Sequence, residues 1–217
     1  MRDKPTRILC VSAEYLDSGK IIGCDPIEDH SSDHIPVRTA IPAPHGTLMQ
    51  TRETIMRLKS TLPLDKASGI LDEALQLGRE SDMHPLTVVV LDAGGRIVAA
   101  KSEDGSGILR FNIAMGKAWG ALGMGISSRL IRDRLKERPV FQTSLAAASD
   151  GKLIPVPGGV LIEDAEGFTI GAVGISGDTS EKDEFCAIGA IKSVGLSSEP
   201  AAIDPNWQAS KLSDADK

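Results

Sequence analysis

Two stretches of β-branched and small apolar residues, each interrupted by an acidic, glycine-bearing turn, constrain this chain more than anything else in it. Leu86-Thr-Val-Val-Val-Leu-Asp92 is followed by Ala93-Gly94-Gly95 and a second run, Arg96 to Ala100. Val156-Pro-Gly-Gly-Val-Leu-Ile-Glu163 and Phe168-Thr-Ile-Gly-Ala-Val-Gly-Ile-Ser176 flank Asp164-Ala-Glu-Gly167 in the same way. β-Branched runs joined by such turns read as hairpins. Gly171 and Gly174 thin one face of the last strand, which lets a helix, a ligand or another backbone come close.

Helical patterns fill the spaces between the hairpins. Ala67, Ile70, Leu71, Ala74, Leu75 and Leu77 recur at helical spacing, with Asp65 as the expected N-cap and an end near Ser81. Ile108 to Met124 carries Gly116, Ala118, Gly120 and Ala121 and reads as a buried, closely packed helix. Ser127 or Ser128 caps a charged helix, Arg129 to Arg138, that Pro139 ends, and Phe141 to Ala148 adds further helical turns. Asp178 with Glu181 three residues on predicts the start of a final helix that runs to about Val194, with Gly195 as its C-cap. The expected organisation is one domain over residues 61–195. Residues 1–60, broken by Pro26, Pro36, Pro42 and Pro44, form an extended arm whose Ile35, Val37, Ile41 and Leu48 dock on a neighbouring subunit. Residues 196–217 read as a C-terminal tail.

Composition narrows the functional classes. With 41% apolar and 25% charged residues the chain can bury a real core. A net charge of −6 and no run of Lys or Arg argue against a nucleic-acid partner. No segment approaches the ~20 apolar residues that span a bilayer, and no secretory apolar region follows the N-terminus. Cys10, Cys24 and Cys186 form no C-x-x-C pair, which fits a reducing, cytoplasmic setting. A G-x-S-x-G elbow, a Walker loop and a Rossmann glycine fingerprint are all missing, so no nucleotide cofactor is expected.

Val88-Val-Val-Leu-Asp-Ala-Gly-Gly95, Glu103-Asp-Gly105, Ala114-Met-Gly-Lys-Ala118, Pro157-Gly-Gly-Val160 and Ile170-Gly-Ala-Val-Gly-Ile-Ser-Gly177 with Asp183 following appear in one order. In these motifs the chain resembles the GlcG/HbpS-like family, which includes haem-binding secreted proteins and the C-terminal domain of some corrinoid adenosyltransferases. The resemblance implies an α+β, profilin-like fold with a central antiparallel sheet flanked by helices, and assembly into dimers and larger homo-oligomers. It differs where the family commonly has Pro-Thr after the lysine-bearing helix, since this chain has Ser127-Ser128, and in its proline-rich arm. Haem is the family-level expectation for some members. Against it stand an aromatic content of 3% and the fact that no histidine lies in the matched motifs.

Lys117, alone among small and apolar helix residues, either snorkels to water or points into a cleft, where it could serve as a base, an anion ligand or a structural charge. Arg110 lies two helical turns earlier on nearly the same face, so the two could form a carboxylate clamp. Ser176 and Gly177 precede the final helix, whose free amides make an anion site unless Asp178 simply caps it. Gly158 and Gly159 leave amides unshielded and could line the same pocket or merely shape the hairpin entry. Asp183 is a general acid or base, or only a residue that favours the helix dipole, as is Glu184. Asp92 and Asp104 read as turn residues. His84, before Pro85, faces the mouth of the pocket. His30 and His34, four apart beside Asp29 and Asp33, have metal-ligand types but sit among prolines; no metal site is assigned. His45 reads as a loop residue at a subunit contact.

Two functions follow. One is a cytoplasmic binding or accessory protein that holds a small organic anion or a tetrapyrrole. The other is a catabolic isomerase, hydratase or lyase in which Lys117 or Asp183 moves a proton on a small carboxylate held by Arg110 and the glycine amides.

Overall fold

The computed structural model describes residues 59–212. The arm, His30, His34 and His45 therefore lie outside the described residues. Helix α1 (Leu64–Glu80) begins two residues earlier than a cap at Asp65 requires: Pro63, extended at φ −65° and ψ 146°, is the N-cap, and its carbonyl accepts from the Ala67 amide. Asp65 instead sits in the first turn, where its charge favours the helix dipole.

The predicted hairpins form. Strands β1 (Thr87–Asp92) and β2 (Ile97–Ser102) pair antiparallel, and so do β3 (Gly159–Glu163) and β4 (Thr169–Ser176). At the first turn Asp92 accepts from the Gly94 and Arg96 amides, as expected of a turn aspartate. β1 also pairs with β4, so the hairpins merge into one sheet of order β2-β1-β4-β3-β5. Both faces of its centre are covered, which explains why β1 is apolar throughout rather than alternating. Val88 and Val90 join a core with Val160, Val173, Ile175 and the apolar sides of α1 and of helix α5 (Ser180–Ser193). Val89 and Leu91 join a second core with Leu161, Ala172 and helix α2 (Leu109–Met124).

Glycine makes the α2 side possible. A Cβ at Gly174 would collide with the Ala114 carbonyl, and one at Gly159 with the Lys117 carbonyl, so the helix backbone rests directly on β3 and β4. The buried stripe of α2 is Ala114, Gly116, Lys117, Ala118, Gly120 and Ala121; its first turn is open, with Ile108 and Leu109 exposed.

Several boundaries differ from the sequence reading. Ser127 is the cap of α3 (Ser128–Leu135), its Oγ accepting from the Leu130 amide. Pro139 starts α4 (Pro139–Ala148) at its first position, where a missing N–H costs nothing, rather than ending α3. Thr179, not Asp178, is the N-cap of α5, so Glu181 falls one position short of a capping box, and it pairs with Arg132 instead. The expected tail is partly structured: β5 (Ser197–Glu199) adds to the sheet beside β3, and Trp207 stacks on Phe185 of α5 with ring centroids 3.8 Å apart. No helix among the described residues is long and apolar enough to cross a membrane.

Replacing Gly174 with Ala is expected to cost about 3 kcal/mol or more, because the intruding methyl meets backbone rather than a side chain that can rotate away. Urea unfolding of Gly174→Ala against Gly167→Ala checks this. Gly167 has open space around its Cβ and only the penalty of its positive φ, 81°, so its loss is the smaller.

Candidate functional site

Lys117 and Asp183 meet in the interior. Their side chains are 2% and 1% exposed, and Nζ lies 2.7 Å from Oδ2. Lys117 comes from the helix on one face of the sheet and Asp183 from the helix on the other, so the pair joins the two layers around the end of β3 and β4. Gly158 closes over it at φ +108°: a Cβ there would lie 2.9 Å from Asp183 Cβ and 3.0 Å from Nζ. Burial pushes the Asp183 carboxyl up to about 6 against the pull of Lys117 and the Asp178 amide.

This arrangement corrects three expectations. The carboxylate held by Lys117 is that of Asp183, so no clamp with Arg110 forms. Gly159 offers no free amide, since it donates to Ser128 Oγ at 2.8 Å. Two amides just ahead of the last helix are also engaged: Asp178 N–H donates to Asp183 Oδ1 and Thr179 N–H to Asp178 Oδ1. The chain's own carboxylates take these two donors of the expected anion position.

Four other predicted residues do come together. His84, Arg110 and Gly177 line a surface pocket of about 340 Å³ with Pro85, Ser106 and Leu212, and Arg110 Nη1 donates to Ser176 Oγ at 3.3 Å. The segment that carries His84 is gripped along its backbone. His84 N–H donates to Asp178 Oδ2 at 3.0 Å, its carbonyl accepts from Arg79 Nη2 at 3.0 Å, and Leu86 N–H donates to Glu103 Oε2 at 2.6 Å. Arg79 and Glu103 are themselves paired at 2.8 Å. The imidazole is left exposed on a fixed backbone. Burial works to raise Asp178, but the His84 and Thr179 amides and Lys182 outweigh it and hold the carboxyl below the usual range.

Sequence reasoning missed Ser106, Thr87 and Glu103. Thr87 Oγ1 is within 2.9 Å of Ser102 Oγ and 2.7 Å of Ser106 Oγ, which fixes the serine on the pocket wall. The Glu103-Asp-Gly motif was the available signal, because a glutamate just past a strand has an amide ladder within reach. A larger groove of about 600 Å³ lies alongside, but its cations are matched: Arg79 by Glu103 and Lys101 by Asp72. Arg110 has no carboxylate at ion-pair distance among the described residues. The smaller pocket is therefore the better candidate for a ligand with negative charge.

A family model described as haem degrading protein HbpS-like matches residues 62–192, more than half of the chain. The chain belongs to the HbpS-like family. Among solved structures, this HbpS-like domain is similar to that of a PduOC:haem complex, with 23% identity and a TM-score of 0.58 over 64% of this chain and 98% of the other. The Klebsiella pneumoniae protein ORFY matches at 23% identity and 0.57, covering 64% and 94%. A double mutant of Streptomyces reticuli HbpS matches at 20% identity and 0.55, covering 74% and 99%. At these identities the likeness shows the fold. No curated protein matches the chain significantly.

Lys117→Met is expected to destabilise the protein by about 3–5 kcal/mol, because it strands a buried carboxylate. Lys117→Met with Asp183→Leu removes both charges and recovers most of that loss. Chemical denaturation of the three proteins checks the prediction; equal losses in the single and double variants contradict it.

Proposed function

We propose that this HbpS-like protein binds a small ligand as an accessory protein, and that the ligand is an organic anion seated in the His84/Arg110 pocket. The observation that supports this is Arg110: a guanidinium on a pocket wall whose hydrogen-bond partner is the neutral Ser176 hydroxyl. A carboxylate there would gain two charge-assisted bonds from one planar fork. Ser106 and the His84 imidazole add polar groups on either side, and Gly105 and Gly107 flank the serine without side chains of their own.

Haem is the second reading, favoured by His84 beside Arg110, which would suit an axial nitrogen donor and a propionate partner. The walls do not match a whole macrocycle. Pro85 and Leu212 are the large apolar groups lining the pocket, and no aromatic ring joins them. The fit is to a carboxylate edge. Proton-transfer catalysis by Lys117 or Asp183 finds no support in the geometry: both are buried, and neither lines the His84/Arg110 pocket or the larger groove beside it. The spread of cysteines supports a reducing, cytoplasmic setting. The apolar α4, which has no buried residue and exposes Val140 and Phe141, supports self-association.

Calorimetric titration with a panel of small mono- and dicarboxylates, and absorption titration with haemin, test the proposal. Arg110→Ala should weaken carboxylate binding by roughly tenfold or more, the equivalent of about 1.5–3 kcal/mol for a charged hydrogen bond, with the melting temperature nearly unchanged. Unaltered affinity in Arg110→Ala removes the pocket assignment. A haemin complex lost in His84→Ala moves the assignment to the second reading.

A further inference from the structure

The carboxylate of Glu184 is 1% exposed, yet its Oε1 has no hydrogen-bond partner. It projects from α5 toward α3 and the C-terminal segment. Arg129 of α3 approaches Oε2 at 3.2 Å, and its other nitrogen donates to the Ala202 carbonyl at 2.9 Å. Arg132 of α3 reaches Glu181 of α5 at 3.2 Å, and Ser210 donates to the same glutamate at 2.8 Å. Asp133 shares Arg132. The charged groups acting on Glu184 are Arg129 and Arg132 from α3, Glu181 from its own helix and Asp204 from the segment. With every acid ionised, Glu181, Glu184 and Asp204 outnumber the two guanidiniums.

The same segment reaches the ligand pocket. It leaves β5, passes Asp204, stacks Trp207 on Phe185, ties Ser210 to Glu181 and arrives at Leu212, a wall of the His84/Arg110 pocket. Its residues from 201 to 212 bury little apolar surface apart from Ile203 and Trp207, which pack on the α1/α5 core. Beyond those two side chains and the Lys192 bond to the Ala201 carbonyl at 2.7 Å, its hold includes the charged network around Glu181 and Glu184.

We propose that residues 200–212 form a strap across the edge of the His84/Arg110 pocket, and that proton binding at Glu184 tightens it. This rests on the pocket reading for its effect on ligand, but the strap's motion does not. The proton goes to the unpartnered oxygen and relieves the repulsion between Glu184 and Asp204; Arg129 keeps its bond to the Ala202 carbonyl. Burial pushes the Glu184 carboxyl up to about 7, with Asp204 and Glu181 adding to it and the two arginines opposing. With the strap lifted, Glu184 meets water and returns toward the ordinary range. The closed form thus binds the proton more tightly. Closure is strengthened as pH falls below about 7 and weakened as pH rises through it. A rise in pH would loosen one wall of the pocket and favour release.

Fluorine NMR of the full-length protein labelled with 5-fluorotryptophan tests this, since Trp119 on α2 is an internal control and Trp207→Phe assigns the second resonance. Without ligand, the Trp207 resonance should shift or broaden between pH 6 and 8 while that of Trp119 does not. Glu184→Gln should abolish the response. Asp204→Asn should move its midpoint down, which keeps the test valid if the glutamine variant fails to fold. A Trp207 resonance unchanged between pH 5 and 9, or a transition that persists in Glu184→Gln, overturns the proposal. Faster dissociation of a bound carboxylate probe above the transition extends the strap to the pocket. A Trp207 transition without any carboxylate binding keeps the strap and removes the pocket reading alone.

Discussion

One buried ion pair sets the geometry on which the other features depend. Lys117 and Asp183 stand on helices that cover opposite faces of the sheet, and their 2.7 Å contact fixes the distance between those helices at the sheet's end. Two charges removed from water are tolerated only with close, hydrogen-bonded geometry, and the surrounding residues provide it. Gly158 adopts a left-handed conformation so that nothing wedges between them, and the Asp178 amide takes the second carboxylate oxygen. That bond orients Asp178, whose carboxylate holds the His84 amide. The position of the exposed imidazole is thus traceable, through two hydrogen bonds, to the buried pair.

The same arrangement separates structure from ligand chemistry. A lysine in a small-residue helix and an aspartate at a helix start are residue types that catalysis uses, and here each satisfies the other out of reach of solvent. Arg110, two turns away on nearly the same face of α2, has no carboxylate at ion-pair distance among the described residues and lies at a surface pocket. Charge matching, not pocket size, distinguishes that pocket from the larger groove beside it, where Arg79 and Lys101 already have carboxylates.

Much of the fold was legible in the sequence because its signals are local. Both hairpins announce themselves by β-branched runs around acidic, glycine-bearing turns, and Gly171 and Gly174 mark a strand face thinned for close approach, which at Gly174 is the α2 backbone. His84, Arg110 and Gly177, singled out in the sequence, line one pocket. What could not be read is who partners whom across the chain. Nothing near Lys117 in sequence names Asp183, and nothing near Ser127 names Glu199, whose carboxylate accepts its amide at 2.5 Å. The segment after Leu196 is polar and proline-bearing, so it reads as a tail. It is held instead by backbone pairing with β3, one aromatic stack and side-chain bonds to Arg129, Lys192 and Glu181, interactions that leave no periodic trace.

The most direct test of this account is the chemical accessibility of Lys117 in the folded, full-length protein. Reductive methylation with isotopic formaldehyde, followed by peptide mass spectrometry, should leave Lys117 unmodified while Lys152 and Lys211, both exposed, react, and addition of carboxylate should not change the outcome. Full modification of Lys117 at native conditions, or protection that appears only with ligand, would show that the pair opens to solvent and that Lys117 belongs to the ligand site.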